Sequence, residues 1–105
     1  MPALPQVQPK RGWRGRFFHS EHMTFAYYEI EAGAGLPAHA HENEEVWHVV
    51  EGALDMILDG RPLRVEAGNA AVVPAGVTHA ATAAQETRAI VVDYPARHEV
   101  AGIKI

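Results

Sequence analysis

The sequence predicts an all-β single domain, a sandwich or barrel. From residue 16 onward the 105-residue chain runs as short apolar or alternating segments rich in Val, Ile, Thr and aromatics, broken by Gly, Pro, Asn and Asp. Asp59-Gly60, between two such runs, marks a tight hairpin, because both central residues of that turn need positive φ. No ten successive residues hold a helical period: Val65 to Ala84 is rich in alanine, yet Gly68, Pro74 and Gly76 interrupt it.

Taken in order, Pro2, Pro5 and Pro9 each fix φ and remove a backbone donor, so residues 1–12 read as an extended arm and 13–105 as the domain. Lys10, Arg11, Arg14 and Arg16, interrupted by Gly12 and Gly15, read as a solvated basic segment that offsets an acidic body. Strands are expected at 16–19, 23–31, 37–41, 45–50, 53–58, 62–65, 70–73, 78–82 and 87–94. Period two assigns their faces. On 23–31 the even residues Thr24, Ala26, Tyr28 and Ile30 turn inward because Glu29 and Glu31 claim the other face, which makes Tyr28 a pocket-lining candidate. On 53–58, Asp55 sends Leu54, Met56 and Leu58 to the core.

Composition bounds the function. Hydrophobic residues at 48% against 21% charged describe a folded globular chain with room for one core. A net charge of −4 removes counterion release from DNA or RNA as a main source of affinity, so no nucleic-acid partner is expected. The absence of cysteine excludes disulfides, thiolate zinc sites and a cysteine nucleophile, leaving nitrogen and oxygen ligands. Met1 to Phe18 holds no apolar signal core and no run approaches the ~18 residues of a spanning helix, so no membrane role and a cytoplasmic location are expected.

Histidine is the anomaly, at 19, 22, 39, 41, 48, 79 and 98. His39-Ala40-His41 follows Pro37 in extended context, where residues i and i+2 share a face about 6.5–7 Å apart and two imidazoles can meet one ion. Glu45 has the same parity but would lie ~13 Å further along a straight strand, so the polar tripeptide Glu42-Asn43-Glu44 must bend. His79 follows Pro74-Ala75-Gly76, a tight turn that can return it beside the first two.

These residues resemble a known family. Gly33, five residues, His39-x-His41, three residues, Glu45, six residues and Gly52 is similar to the first cupin motif. Gly68, five residues, Pro74-x-Gly76, two residues and His79 is similar to the second, and residues 53–67 match the short spacer of compact bacterial cupins. Ala83 departs from the Asn that often closes the second motif, which puts a turn contact in doubt.

The resemblance implies a single-domain cupin jelly-roll barrel with one divalent transition metal ion per chain, held by His39, His41, Glu45 and His79. Three imidazoles and a carboxylate leave such an ion a net charge of about +1 with positions open for a ligand, while donor type does not select the metal. Fe or Mn rank first, with Ni, Co, Cu and Zn after them. Glu44 would replace Glu45 if the bend shifted by one residue, Trp47 shares the parity of Glu45 as a wall or core residue, and His48 points away. His19, His22 and His98 lack partners at ligand spacing and read as surface.

At the chain end, Asp93 and Arg97 loosely match the Asp and Arg that close the last strand in small cupins opening unsaturated sugar-acid rings. Asp93 as general acid or base, Arg97 as a carboxylate anchor and Tyr28 on the wall make a candidate catalytic set, against the plainer reading of a surface salt bridge or strand-end cap. The expected function is a metal-dependent enzyme acting on a small polar or carboxylated molecule by isomerisation, ring opening, lyase or dioxygenase chemistry. The alternative is a non-catalytic small-molecule-binding or sensing cupin. A homodimer is expected from the arm and the family.

Overall fold

In the computed structural model, which describes Leu4 and residues 6–105, period-two strands pair into two antiparallel sheets, and no helix occurs among the described residues. The strands are β1 Gln6–Lys10, β2 Trp13–His19, β3 Thr24–Ile30, β4 Gly35–His39, β5 Glu44–Glu51 and β6 Ala53–Leu58. They continue with β7 Arg61–Glu66, β8 Ala70–Val73, β9 His79–Ala83, β10 Thr87–Tyr94, β11 Glu99–Val100 and β12 Ile103–Lys104. One sheet has the order β1-β2-β3-β10-β5-β8 and the other β4-β9-β6-β7, with β11–β12 a separate small hairpin. The crossed strand order is that of a jelly roll.

The inward faces follow the pattern of the sequence. Thr24, Ala26, Tyr28 and Ile30 are buried while the residues between them are half-buried, and Leu54 and Met56 are core while Asp55 is exposed. Asp59 and Gly60, at φ 50° and 77°, form the two-residue turn that joins β6 to β7. Trp13, which the expected strand starting at residue 16 leaves out, is fully buried and meets Tyr28 and Trp47 edge-on at 5.5 and 5.9 Å. The strand starts earlier, with Trp13 paired to Ile30, and Gly15 within it leaves room for two rings: a Cβ there would sit 2.8 Å from Phe17 and 2.9 Å from Tyr28.

Within the segment read as an extended arm, Gln6–Lys10 is a strand paired with β2 of the same chain as a sheet edge. Pro9 is tolerated in that edge strand. Pro2 and Pro5 lie outside the described residues. The turn contact left in doubt by Ala83 is made by backbone: Ala83 N–H donates to Ala34 O and Gly33 N–H to Ala83 O, both at 2.9 Å.

Candidate metal centre

The side chains that matter come from both sheets and meet between them. β4 ends at His39, so His41 is not on the strand expected to run to residue 41; the chain leaves the sheet at Ala40 and bends at Glu42–Asn43. A register shift between Leu36 and His39, where Pro37 sits in the edge strand, aims His39 at its cross-strand partner His79. The bend then turns Glu45 inward on β5, where it lies opposite Val73 on β8 and Asp93 on β10.

Ring centroids of His39 and His79 are 4.3 Å apart, those of His41 and His79 5.0 Å, and those of His39 and His41 5.7 Å. One ligand atom from each of the three lies within 4.8 Å of the others, and the same holds for His41, Glu45 and Asp93. The Glu45 oxygens stand 3.5 Å from His41 Nε2 and 3.4 Å from His79 Nε2. Trp47 Nε1–H donates to Glu45 Oε1 at 2.5 Å and orients the carboxylate.

Each imidazole is held the same way. His39 Nδ1 is 2.8 Å from Pro37 O, His41 Nδ1 3.1 Å from Asn43 O, and His79 Nδ1 2.9 Å from Val77 O. A carbonyl oxygen only accepts, so each Nδ1 carries the hydrogen and Nε2 is the ring nitrogen left over. Nε2 of His41 and of His79 is buried without a hydrogen-bond partner. Buried polar atoms are rarely left so, and two of them converging beside a carboxylate fit a cation.

The charges interact strongly. Burial would raise the Glu45 pKa, but His41, His79 and Asp93 beside it outweigh burial and hold it well below the usual carboxylate range. Asp93 moves the other way: burial and the Glu45 charge push it up to about 9, against the pull of Arg97. Two carboxylates paired across neighbouring strands in the interior cannot both ionise freely, and Asp93 keeps the proton. Burial lowers His39, whereas for His79 the Glu45 carboxylate and the Val77 carbonyl outweigh burial and raise it. Burial, with Glu45, also raises Tyr28.

The reading of Asp93 and Arg97 as a surface pair does not match their placement. Asp93 is only 4% exposed, and Arg97 Nη1 reaches inward to 3.4 Å from Glu45 Oε2 and 3.9 Å from Asp93 Oδ2. The segment carrying Arg97 is latched to β3, because Thr24 Oγ1 donates to Arg97 O at 2.9 Å and accepts from Arg97 N–H at 2.8 Å. Thr24 did not stand out in the sequence as a functional residue, although its inward parity on β3 was visible. Asn43 Nδ2–H adds a bond to Pro95 O at 2.5 Å.

A cavity of about 350 Å³ opens beside the cluster, and His39, Glu45, Tyr28, Trp47 and Arg97 are among its lining residues. Asp93 is not; it stands beside Glu45 in the interior. Glu44 and His48 are exposed, as are His19, His22 and His98, although His19 and His98 pair at 4.9 Å between ring centroids.

Comparison with known proteins agrees with this architecture. The family model described as a cupin domain matches residues 26–94. Among solved structures, KdgF from a Halomonas species is 25% identical, with a TM-score of 0.83 over 89% of this chain and 87% of that one. An RmlC-like cupin from Shewanella frigidimarina is also 25% identical, with a TM-score of 0.84 over 90% and 86%. No curated protein sequence matches this chain.

Proposed function

This chain belongs to the cupin family, and we propose that it is a metal-dependent enzyme acting on a small carboxylated molecule, with His39, His41, Glu45 and His79 as ligands to one divalent transition metal ion. The observation that carries the proposal is the shared Nδ1-to-carbonyl bond, which leaves Nε2 as the free nitrogen of three neighbouring imidazoles, two of them buried and unpartnered beside a carboxylate. A bound ion would supply Lewis acidity at open coordination positions, polarising a carbonyl or enolate oxygen. The chain supplies the rest. Arg97 offers a fork for a carboxylate, Tyr28 walls the cavity, and Asp93 carries a proton at neutral pH next to the ligand Glu45. Isomerisation, ring opening, lyase and dioxygenase chemistry all use these parts, and the donors suit Fe or Mn first and Ni, Co, Cu or Zn after them.

One observation favours a binding or sensing protein instead: the proton carried by Asp93 has no direct opening to the cavity. Turnover of a carboxylate by metal-loaded protein supports the enzyme. A ligand that raises the melting temperature and is recovered unchanged supports the sensor.

Metal binding is the first test, and its pH dependence has a definite sign. Metal and proton compete for His79 Nε2. Because the folded protein raises the His79 pKa above the ordinary histidine value, the His79 contribution to affinity is full above that raised pKa, and affinity falls at least about tenfold per pH unit below it. His39, shifted down, adds no second proton near neutrality. Elemental analysis of natively purified protein should find one ion per chain, and calorimetric titration in buffers of different ionisation enthalpy should show at least one proton released near pH 6. An affinity that stays constant between about pH 5 and 8 would count against His79 as a ligand.

We also propose a homodimer formed through the outer face of the six-stranded sheet. The register places Phe18, Phe25, Val92, Val46 and Val72 side by side across five strands on the face turned away from the core. Phe18 and Val72 are half exposed, and the Phe18 and Phe25 rings stack at 4.7 Å. An apolar row of this length on an outer face is characteristic of an interaction surface. Light scattering should give twice the chain mass, and Val92→Glu should return it to that of one chain.

A further inference from the structure

We infer that the cavity takes a small carboxylate with a flat apolar body, an aromatic or conjugated carboxylic acid, and discriminates against polyhydroxylated sugar acids. The inference deepens the proposed function and rests on the anchoring role given there to Arg97.

Size comes first. A cavity of about 350 Å³ holds about a dozen water-sized groups at ~30 Å³ each, which admits a single ring with a short acidic side chain.

The lining decides the chemistry. Leu36 and Pro37 from β4, Pro9 from β1, and Val100 and Ala101 from the C-terminal hairpin form walls that offer no side-chain hydrogen bond. The Tyr28 and Trp47 rings lie nearly parallel, at 15° and 6.1 Å between centroids. The Trp47 N–H is already given to Glu45, so Trp47 presents only ring surface to a ligand. Among the described residues, no Ser, Thr, Asn or Gln side chain lines the cavity. A sugar acid brings several hydroxyls, and beyond the charged groups and the proposed ligand His39 the Tyr28 hydroxyl is the remaining side-chain partner among those residues. Each buried hydroxyl left unpaired costs about tenfold in affinity, whereas a planar apolar body loses nothing against these walls.

The lining carries two positive side chains, Arg97 and Lys10. The contacts of Arg97 with Glu45 and Asp93 all run through Nη1, which leaves Nη2 and Nε for a ligand carboxylate. Lys10, also on the lining, makes no ion pair among the described residues and adds a second positive charge. Thr24 holds the Arg97 backbone in place, so the guanidinium is presented from a fixed base.

Five of the lining residues share a further property. Pro9, Lys10, Arg97, Val100 and Ala101 all lie outside residues 26–94, the span of the family match. The matched span supplies the proposed metal cluster and the Tyr28, Leu36, Pro37 and Trp47 walls, and the residues on either side of it complete the lining. Ala101 is held at φ 49°, a left-handed conformation that L-residues seldom adopt, in the turn of the β11–β12 hairpin, which brings it to the cavity wall.

Isothermal titration of the full chain with trans-cinnamate, D-galacturonate and cinnamyl alcohol, each against metal-loaded and chelator-treated protein, tests the inference. Cinnamate should bind at least tenfold tighter than both galacturonate and the neutral alcohol. Arg97→Gln should cost cinnamate at least tenfold and leave cinnamyl alcohol unchanged, Arg97→Lys should recover part of the loss, and Leu36→Asn should narrow the ratio between cinnamate and galacturonate. Unchanged melting temperatures identify variants that fold. Galacturonate binding as tightly as cinnamate, or no saturable cinnamate binding in either metal state, overturns the inference. Protein that holds one ion per chain but prefers galacturonate refutes the ligand class alone. Arg97-dependent cinnamate binding by protein that holds no ion refutes the metal reading alone.

Discussion

Replacing His79 with alanine is expected to take bound metal from one ion per chain to none and to remove the chelator-sensitive part of the melting temperature. His79 is the hub of the cluster: its ring is nearest to both other imidazoles, its Nε2 faces Glu45, and it is 1% exposed. Loss of an outer-sphere partner at a metal site already costs 10–100-fold, so loss of a central donor should exceed about 100-fold. An ion present at 100 times its dissociation constant stabilises the folded state by about 2.7 kcal/mol. For a domain of this size that corresponds to roughly 10–20 °C, and the His79→Ala protein should melt at the same temperature with and without chelator. His48→Ala, on the exposed face of β5, supplies the control and should behave as the parent. Retention of one ion by His79→Ala would remove the premise of the proposed function.

The prediction could be framed from sequence because motif spacing and strand parity fix different things. The spacing of His39, His41, Glu45 and His79 identified a cluster that strand geometry alone could not assemble, since a straight strand from His39 would have carried Glu45 out of reach. Parity then ordered the walls: Tyr28 and Trp47 inward, His48 outward. Parity was also available for Asp93, which continues the inward series Thr87, Ala89 and Val91 on β10. Its charge and its place at a strand end suggested the surface, yet the face of the strand decided its burial. The two-residue strands β11 and β12 show no period in sequence, because two residues cannot express one. Trp13 was hidden by Gly12 and Gly15, which read as breakers; in the fold Gly15 is a space kept for aromatic rings. The cavity walls supplied by β1 and the C-terminal hairpin were invisible for the same reason, since their position depends on pairing rather than on pattern.

Gly52→Ala is expected to be among the most damaging single-atom additions in the chain, and the reason separates conformational from steric cost. Gly52 is the one residue between β5 of the six-stranded sheet and β6 of the other, so the chain crosses from sheet to sheet there at φ 86°. A Cβ at this position would collide with the Glu86 carbonyl oxygen and would lie 2.5 Å from Thr87 Oγ1 and 2.8 Å from Thr87 Cα. Two of these atoms are backbone, and the third belongs to a hydroxyl that is already committed: Thr87 Oγ1 accepts from Ala53 N–H at 3.2 Å and lies 3.1 and 2.8 Å from the carbonyls of Ala53 and Gln85. Relief therefore requires moving β10 away from the corner or breaking the hydroxyl bonds. The left-handed conformation costs an L-residue about 1–2 kcal/mol, and overpacking against fixed neighbours adds about 1–3 kcal/mol. A total of about 3 kcal/mol lowers the melting temperature by roughly 12–24 °C. Gly60 isolates the first contribution, because it has φ 77° but no atom within 4 Å of a Cβ; Gly60→Ala should therefore lose only about 1–2 kcal/mol. Urea unfolding of the two variants side by side measures the difference. Equal losses would mean that the corner relaxes freely and that Gly52 is required for its φ alone.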